Sequence, residues 1–303
     1  MDVSFIIVNW NTKDLLLNCI SSIYQTVRGP AFEIWLVDNA SSDESIVAAK
    51  SAYPAINIIE NEENLGFAAA NNLALRRMNG RYALLLNTDT SLTENAAREL
   101  YEFMEATPKA AIACGQLLNL DGSKQNSIAN PPSLLSLLSN ETILRLLLPK
   151  KFPSKRKQYT APIEINSCVG ACMIVRKEAI DKAGYFDERF FFFLEETDWA
   201  LRMKRGGWKL YFIPTAGIFH AQGQSVGSGV EARIMFYRSR YIFFKKWNPN
   251  LYPIICFAVL SRLIINALLS LLGLVFTLGL SDDLNRRSAI YMKLLTWHVR
   301  GCP

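Results

Sequence analysis

Four times within its first 106 residues the chain passes from a short apolar run into an amphipathic stretch, and few folds accept that rhythm. Residues 3–8 carry no charge, as in a strand covered on both faces. Residues 12–25 then set Leu15, Leu16, Cys19, Ile20 and Ile23 at helical spacing. Further strands are expected at 33–37, 55–60 and 82–86, and further helices at 68–78 and 93–106. Ser41 or Ser42 is placed to cap the helix after the second strand. Repeated strand–helix units imply an α/β fold with a doubly wound, mostly parallel sheet, whose ligands lie beyond the carboxyl ends of its strands. Polar residues gather at three of those ends: Asn9 to Asn11, Asp38 with Asn39, and Asn87 to Asp89.

The pattern fades between about 120 and 166. Residues 133–148 are Leu-rich with helical character, and Lys150, Lys151, Lys155, Arg156 and Lys157 form a basic cluster. A second ordered block follows: a strand at 172–175, a helix at 177–183, an aromatic run at 190–193, a helix at 196–205 and a strand at 209–213. The last third differs again. Residues 254–280 hold Arg262 as their only charge, and 263–280 hold none, which reaches the length threshold for a membrane-spanning helix. Arg238, Arg240, Lys245 and Lys246 precede the run, and Arg286 and Arg287 follow it. A core helix passes the same test, but a sheet domain already complete leaves little core to join. Gly273 and Gly279 suit an in-plane or re-entrant anchor, and the basic flanks suit anionic headgroups, so membrane association is expected with the topology open.

Composition removes several classes. Six cysteines without a CxxC and only two histidines exclude a zinc finger, and Cys168 and Cys172 read as packing residues. The start, Met-Asp-Val-Ser, has no signal-peptide pattern, so free thiols in the cytoplasm are expected. The 33 basic against 27 acidic residues give a net charge of +6. The basic residues surround an apolar run instead of interleaving with aromatics, so nucleic acid is not an expected partner.

The acids at strand and helix ends carry the chemistry. Asp89, between Asn87-Thr88 and Thr90-Ser91, suits a hard divalent cation gripping a diphosphate, although the same residue types build ordinary turns. Glu195, Glu196 and Asp198 follow four phenylalanines, and desolvation there raises a carboxylate towards the range of a useful general base. The simplest division gives Glu196 the proton transfer and pairs Asp198 with Arg202 or the acceptor. His220 precedes a small-residue loop, Ala221 to Ser225, fit for a metal or phosphate role. Asp38 ends a strand where dinucleotide folds receive a base or ribose. The first strand–helix turn, Val8 to Thr12, has no G-x-G-x-x-G and no Walker lysine, so a nucleotide is not held in a glycine cradle. Asn64-Leu65-Gly66-Phe67 supplies one glycine.

In order along residues 3–225, these motifs resemble the family-2 glycosyltransferases of GT-A fold, especially bacterial rhamnosyltransferase-like members that build surface polysaccharides. The resemblance is carried by Ile6-Ile7-Val8-Asn9-Trp10-Asn11, Val37-Asp38-Asn39-Ala40-Ser41-Ser42-Asp43, Asn64-Leu65-Gly66-Phe67-Ala68 with Asn71-Asn72, and Leu86-Asn87-Thr88-Asp89. Gly170-Ala171-Cys172-Met173, Gly184-Tyr185-Phe186-Asp187-Glu188, Glu195-Glu196-Thr197-Asp198 and His220 complete it. It implies a glycosyltransferase domain over 1–230, with a nucleotide-sugar half (1–115) and an acceptor half (116–230), and a helical membrane-associated region over 231–303.

By the same resemblance Asn9, Asn11, Asp38, Asn64, Gly66, Asn71 and Asn87 line the donor site. Asp89 and His220 hold Mg²⁺ or Mn²⁺, and Gly170 and Ala171 face the acceptor. Glu196 is the base, with Glu195 and Asp198 as the other claimants. Asn87 stands where the family's D-x-D motif has its first acid, and Glu196 where the family more often has aspartate. The implied reaction moves a sugar, with rhamnose the family's suggestion, from a dTDP- or UDP-sugar to a hydroxyl of a lipid-linked or polysaccharide acceptor, with inversion. The implied place is the cytoplasmic face of the inner or plasma membrane. A nucleotidyltransferase would show a Gly-rich basic loop after the first strand, which is absent. A non-catalytic nucleotide-sugar-binding membrane scaffold of the same fold is the alternative, separated by whether nucleoside diphosphate is released in a Glu196-dependent way.

Overall fold

The uncharged run at the start lies inside a sheet. A computed structural model describes residues 1–138, 144, 146–148, 158–221, 229–278 and 280–301. Strand β1 (Val3–Asn9) pairs in parallel with β2 (Phe32–Asp38) on one side and β4 (Tyr82–Asn87) on the other, and β2 pairs in parallel with β3 (Asn57–Glu60). Alternation along β1 feeds two apolar layers. Phe5 and Ile7 pack with Leu16, Ile20 and Ile23 of α1 (Lys13–Thr26) and with Leu100 and Met104 of α4 (Ala96–Ala106). Ile6, facing the other way, shares a cluster with Ala68 and Leu75 of α3 (Gly66–Leu75) and with Trp199 and Met203 of α7 (Glu195–Arg205). Both faces are covered, which is why β1 reads as a continuous apolar run.

Beyond β4 the sheet becomes mixed. Its order is β3-β2-β1-β4-β10-β6-β11-β5, with β8 (Ile163–Ile165) also on β11. Strand β10 (Cys172–Arg176) lies antiparallel between β4 and β6 (Ala110–Leu118), while β11 (Lys209–His220) runs parallel to β6. Strand β11 continues seven residues past the expected end at Ile213, through a register shift between Ile213 and Gly217, and sets His220 opposite Thr90 of β5 (Thr90–Leu92). A two-stranded ribbon, β7 (Ile128–Ala129) with β9 (Ser167–Cys168), and the short helix α6 (Lys177–Ala183) complete the layers.

The expected serine cap is corrected. Helix α2 (Ser45–Ala52) begins later, with Asp43 Oδ1 accepting from Ser45 N, because Ser41 and Ser42 are engaged by Asp38 and Asn11. The basic cluster at 150–157, the loop residues Gln222 to Ser225, and Gly279 lie outside the described residues.

The chain divides into two compact units, Met1–Pro131 with Leu148–Val226, and Pro132–Leu147 with Gly227–Pro303. The second unit is helical: α5 (Leu134–Leu138), α8 (Val230–Trp247), α9 (Tyr252–Phe276) and α10 (Asp282–Val299). Helix α9 spans 25 residues, or about 37 Å, against roughly 30 Å of hydrocarbon in a bilayer. Ile255, Val259, Leu263, Ala267 and Ser270 form its buried stripe. Gly273 admits Leu284 of α10, whose Cδ1 would lie 3.0 Å from an added Cβ. The other side of α9 exposes Phe257, Leu268, Leu269, Val275 and Phe276, and only 28% of its most apolar window is buried. His298 serves packing in this unit: Nδ1 donates to Leu294 O, and Tyr241 donates its hydroxyl proton to Nε2 at 2.6 Å.

Candidate active site

Side chains at the ends of β1 and β2 satisfy one another. Asn9 Nδ2 lies 2.8 Å from Asp38 Oδ1, 3.0 Å from Ser41 Oγ and 2.7 Å from Ser45 Oγ. Asp38 also accepts from Ser41 N and Ser41 Oγ. Thr12 Oγ1 bridges Asn9 Oδ1 and Thr88 Oγ1, which joins this network to the end of β4. Asn11 and Ala40 both adopt left-handed backbone (φ 52° and 59°), and Ser42 N donates to Asn11 Oδ1. Asn39 Nδ2 reaches Asn64 Oδ1 and Gly66 O, and Gly66 N donates to Asn64 Oδ1. Gly66 has φ +77°, and a Cβ there would meet Phe191 O at 2.4 Å, so only glycine fits. Asn71 is buried inside α3 and donates to Phe67 O. Its neighbour Asn72 clasps Phe186 through both its amide oxygen and nitrogen, and so ties α3 to the turn before the aromatic run.

At the end of β4 the hydrogen bonding is incomplete. Asp89 Oδ1 is buried with no hydrogen-bond partner among the described residues, and His220 Nε2 stands 3.5 Å from it. Gln125, which no sequence motif singled out, fixes the imidazole. Its Nε2 donates to His220 O and to Asn119 Oδ1, both at 2.7 Å, so its Oε1 is the acceptor that faces His220 Nδ1 at 2.8 Å. When neutral, the ring so anchored would carry its proton on Nδ1 and turn its Nε2 lone pair towards a carboxylate oxygen. Two acceptors facing each other suit a cation between them. Among the described residues no cluster of three or more His, Cys, Asp or Glu side chains forms a closed metal cage. Asp89 and His220 fit an open one, completed by phosphate oxygens and water.

The acids at the start of α7 separate by environment. Asp198 is fully buried, and of the two partners open to it the structure selects Arg202, 2.9 Å away. Arg202 also donates to Ala183 O and Tyr185 O, so this pair holds the chain before the aromatic run. Glu195 is buried, with Oε2 unpartnered among the described residues; burial first, then the neighbouring Glu196 charge, push its carboxyl well above the carboxylate range. Glu196 is half-buried, accepts from Thr197 Oγ1, and is raised by burial to about 7. Phe193 and Leu194 lead into this helix with φ 72° and 67°, two successive left-handed residues without a glycine. Such backbone persists only where packing dictates it. Phe190 is fully buried, and Phe192 packs edge-on against Phe67 and Phe193.

Three ties converge these parts on one end of the sheet. Asn87 N donates to Ala171 O, and a Cβ on Gly170 would lie 3.8 Å from Glu196 Cβ and Cγ. Phe67 N donates to Phe191 O, joining the Gly66 turn to the aromatic run. Ala221 N donates to Asp89 O beside His220. Gly170 and Ala171 thus lie between the strand end that leads to Asp89 and the helix that carries Glu196.

Residues 4–184 match the family model described as glycosyl transferase family 2, and residues 149–297 match that of glycosyl transferase family group 2. The chain is 25% identical over 226 residues to the N-acetylglucosaminyl-diphospho-decaprenol L-rhamnosyltransferase of Mycobacterium tuberculosis, covering 69% of this chain and 73% of that one. It is 27% identical over 208 residues to a low-salt glycan biosynthesis hexosyltransferase of Haloferax volcanii, covering 67% and 62%. Among solved structures, a mannosyltransferase from Pyrobaculum calidifontis in complex with GDP-Man and Mn²⁺ has a TM-score of 0.58 at 17% identity, covering 98% of this chain and 86% of that one. That likeness concerns the fold.

Proposed function

This chain belongs to glycosyl transferase family 2, and from that premise we propose that it moves a sugar, rhamnose by likeness to the mycobacterial relative, from a dTDP- or UDP-sugar to a hydroxyl of a lipid-linked glycan acceptor at the cytoplasmic face of a membrane. It is a glycosyltransferase whose named relatives work in glycan and polysaccharide synthesis. The observation that carries the finer reading is the Gly170–Ala171 segment, where a Cβ on Gly170 would reach Glu196 and Ala171 O accepts from Asn87 N.

In this reading the network of Asn9, Asn11, Asp38 and Ser41 shapes the donor pocket before the nucleotide arrives, so little ordering remains to be done on binding. Asn64, Gly66 and Asn87 continue its wall. Asp89 and His220 would hold Mg²⁺ or Mn²⁺, which when bound neutralises charge developing on the diphosphate. Gly170, with no side chain, leaves room for an acceptor beside Glu196. The acceptor oxygen forms its bond to the anomeric carbon while the bond to the diphosphate breaks, and the acceptor proton passes to Glu196. Attack opposite the leaving group inverts the anomeric centre. Burial raises the Glu195 carboxyl well above its ordinary value, which disfavours a second negative charge beside the base. The exposed face of α9 would lie in lipid and hold the enzyme where such acceptors reside.

The test is a donor panel. The purified full chain in detergent, with Mn²⁺ and an isoprenyl-diphosphate-linked N-acetylglucosamine, is given dTDP-, UDP- and GDP-sugars, and the product's anomeric configuration is read by NMR. Inverted transfer from one donor is expected. Retention of configuration, or no release of nucleoside diphosphate from any donor, sinks the reading.

A further inference from the structure

The exposed sides of α9 and α10 are opposite in character, although the two helices run together. Phe257, Ile264, Leu268, Leu272 and Val275 recur at helical spacing on the outer side of α9, all of them exposed. On α10 the exposed side carries Asp282, Arg286, Ala289, Lys293, Thr296 and Arg300, spaced by steps of four and three. Three ties keep the helices side by side from end to end. Near the end of α9, Leu284 of α10 fills the space beside Gly273. Midway, Val259 and Asn266 of α9 and Tyr291 of α10 line one cavity of about 230 Å³ with Tyr237 of α8. At the start of α9, the Tyr252 ring lies 6.2 Å from that of Tyr241 in α8, which stacks on Trp297 and bonds His298 at the end of α10.

A spanning α9 would therefore carry α10 through the bilayer with it. Lys293, about 16 Å along the axis from Asp282, would then stand near the middle of roughly 30 Å of hydrocarbon. Arg262, the single charge of residues 254–280, lies near the midpoint of α9 and would stand there too. Ionised side chains at that depth are costly unless they face a protein interior or a water-filled cavity, and both of these are exposed. Laid flat, the same pair of helices keeps these charges in water or among headgroups while the outer side of α9 sinks into acyl chains. Charge complements that placement. Residues 227–303 hold ten Lys or Arg and three Asp or Glu, so the whole positive excess of the chain lies in them. An anionic leaflet attracts such a surface.

We propose that α9 lies in the plane of one leaflet of an anionic membrane, its outer side in the acyl chains and α10 on the water side, and that it does not cross the bilayer. The proposal deepens the reading that the exposed face of α9 lies in lipid, and rests on that reading but not on sugar transfer. A second copy of this chain is the competing occupant of the apolar side, and the experiment separates it from lipid.

Spin labels are placed singly by Phe257→Cys, Leu268→Cys, Val275→Cys and Lys293→Cys in the full chain carrying Cys256→Ser and Cys302→Ser; the other four cysteines are buried. On phosphatidylglycerol vesicles, electron paramagnetic resonance reads each label's depth from its exposure to oxygen against a water-soluble nickel chelate. The three α9 labels are expected at one shared depth of about 5–10 Å, and the Lys293→Cys label in water. Depths that pass through the midplane between Phe257 and Val275 overturn the proposal and leave lipid contact standing. No lipid exposure at any α9 label, with a dimer trapped by cross-linking, overturns both. In a parallel partition assay the unlabelled chain should prefer phosphatidylglycerol to phosphatidylcholine vesicles by about tenfold or more at low salt. Leu268→Glu, at an exposed position, should weaken that partition by about tenfold or more. Equal partition to the two lipids, or a Leu268→Glu chain that partitions like the wild type, overturns the proposal. Sugar transfer is scored separately: a shared shallow depth in a chain that transfers no sugar would retain the in-plane helix and discard the proposed transfer.

Discussion

The ends of β1 and β2 and the ends of β4 and α7 are both buried and polar, yet they are organised in opposite ways. On the first side Asn9, Asp38, Ser41 and Ser45 satisfy one another. On the second, Asp89 Oδ1 and Glu195 Oε2 have no hydrogen-bond partner among the described residues, and His220 Nε2 stands 3.5 Å from Asp89 Oδ1. An unmet buried polar atom costs about 1–3 kcal/mol, so a chain keeps one where something else supplies the partner. The first side is built to hold a shape, and the second to receive charge and protons.

Glu196→Gln should break this contrast most severely. It preserves size and removes the proton acceptor, so kcat for sugar transfer should fall by about 10²–10⁴-fold with KM little changed, read under initial-rate conditions. In the proposed role Glu196 acts while ionised, and its carboxyl is raised by burial to about 7. Activity should therefore fall tenfold per unit below that pH and level off above it; a flat profile between pH 5 and 8 would remove Glu196 from the role. Gln125→Leu sharpens the comparison within the second side, because it touches neither substrate nor cation but frees the His220 ring. Mn²⁺ affinity in the presence of UDP, followed by electron paramagnetic resonance, should weaken by about 10- to 100-fold. Unchanged affinity would mean that the ring needs no anchor. Asn9→Ala acts on the first side and should register as stability: leaving Asp38 and two serines short of a donor should cost about 1–3 kcal/mol in urea unfolding.

Much of the first unit was legible because a strand covered on both faces must be largely apolar: β1 and β4 carry no charge, and β2 carries only Glu33 before its terminal Asp38. Strand β6 was not. Its sequence, Ala110-Ala111-Ile112-Ala113-Cys114-Gly115, is dominated by small residues, and it is a strand because β10 and β11 flank it. Gly115 is required there by contact with Ala216 O, 2.3 Å from where a Cβ would stand. The continuity of β11 up to His220 was not legible either, because Pro214, Thr215 and Ala216 interrupt the pattern where the register shifts. At the candidate site, Asp89, Glu196 and His220 could be singled out from their places after strands and aromatics. Gln125 sits in a stretch with no periodicity, and its meaning arises only from His220, 95 positions away.

The two left-handed residues before α7 make the aim of Glu196, the proposed base, a property of its upstream neighbours. Phe193 and Leu194 hold left-handed torsions beside packed rings, so exchanging bulk at residues 190–193 is expected to re-point Glu196 without altering an acid. Acceptor preference can then drift through hydrophobic substitutions alone, and a laboratory library confined to those four positions would retrace that drift.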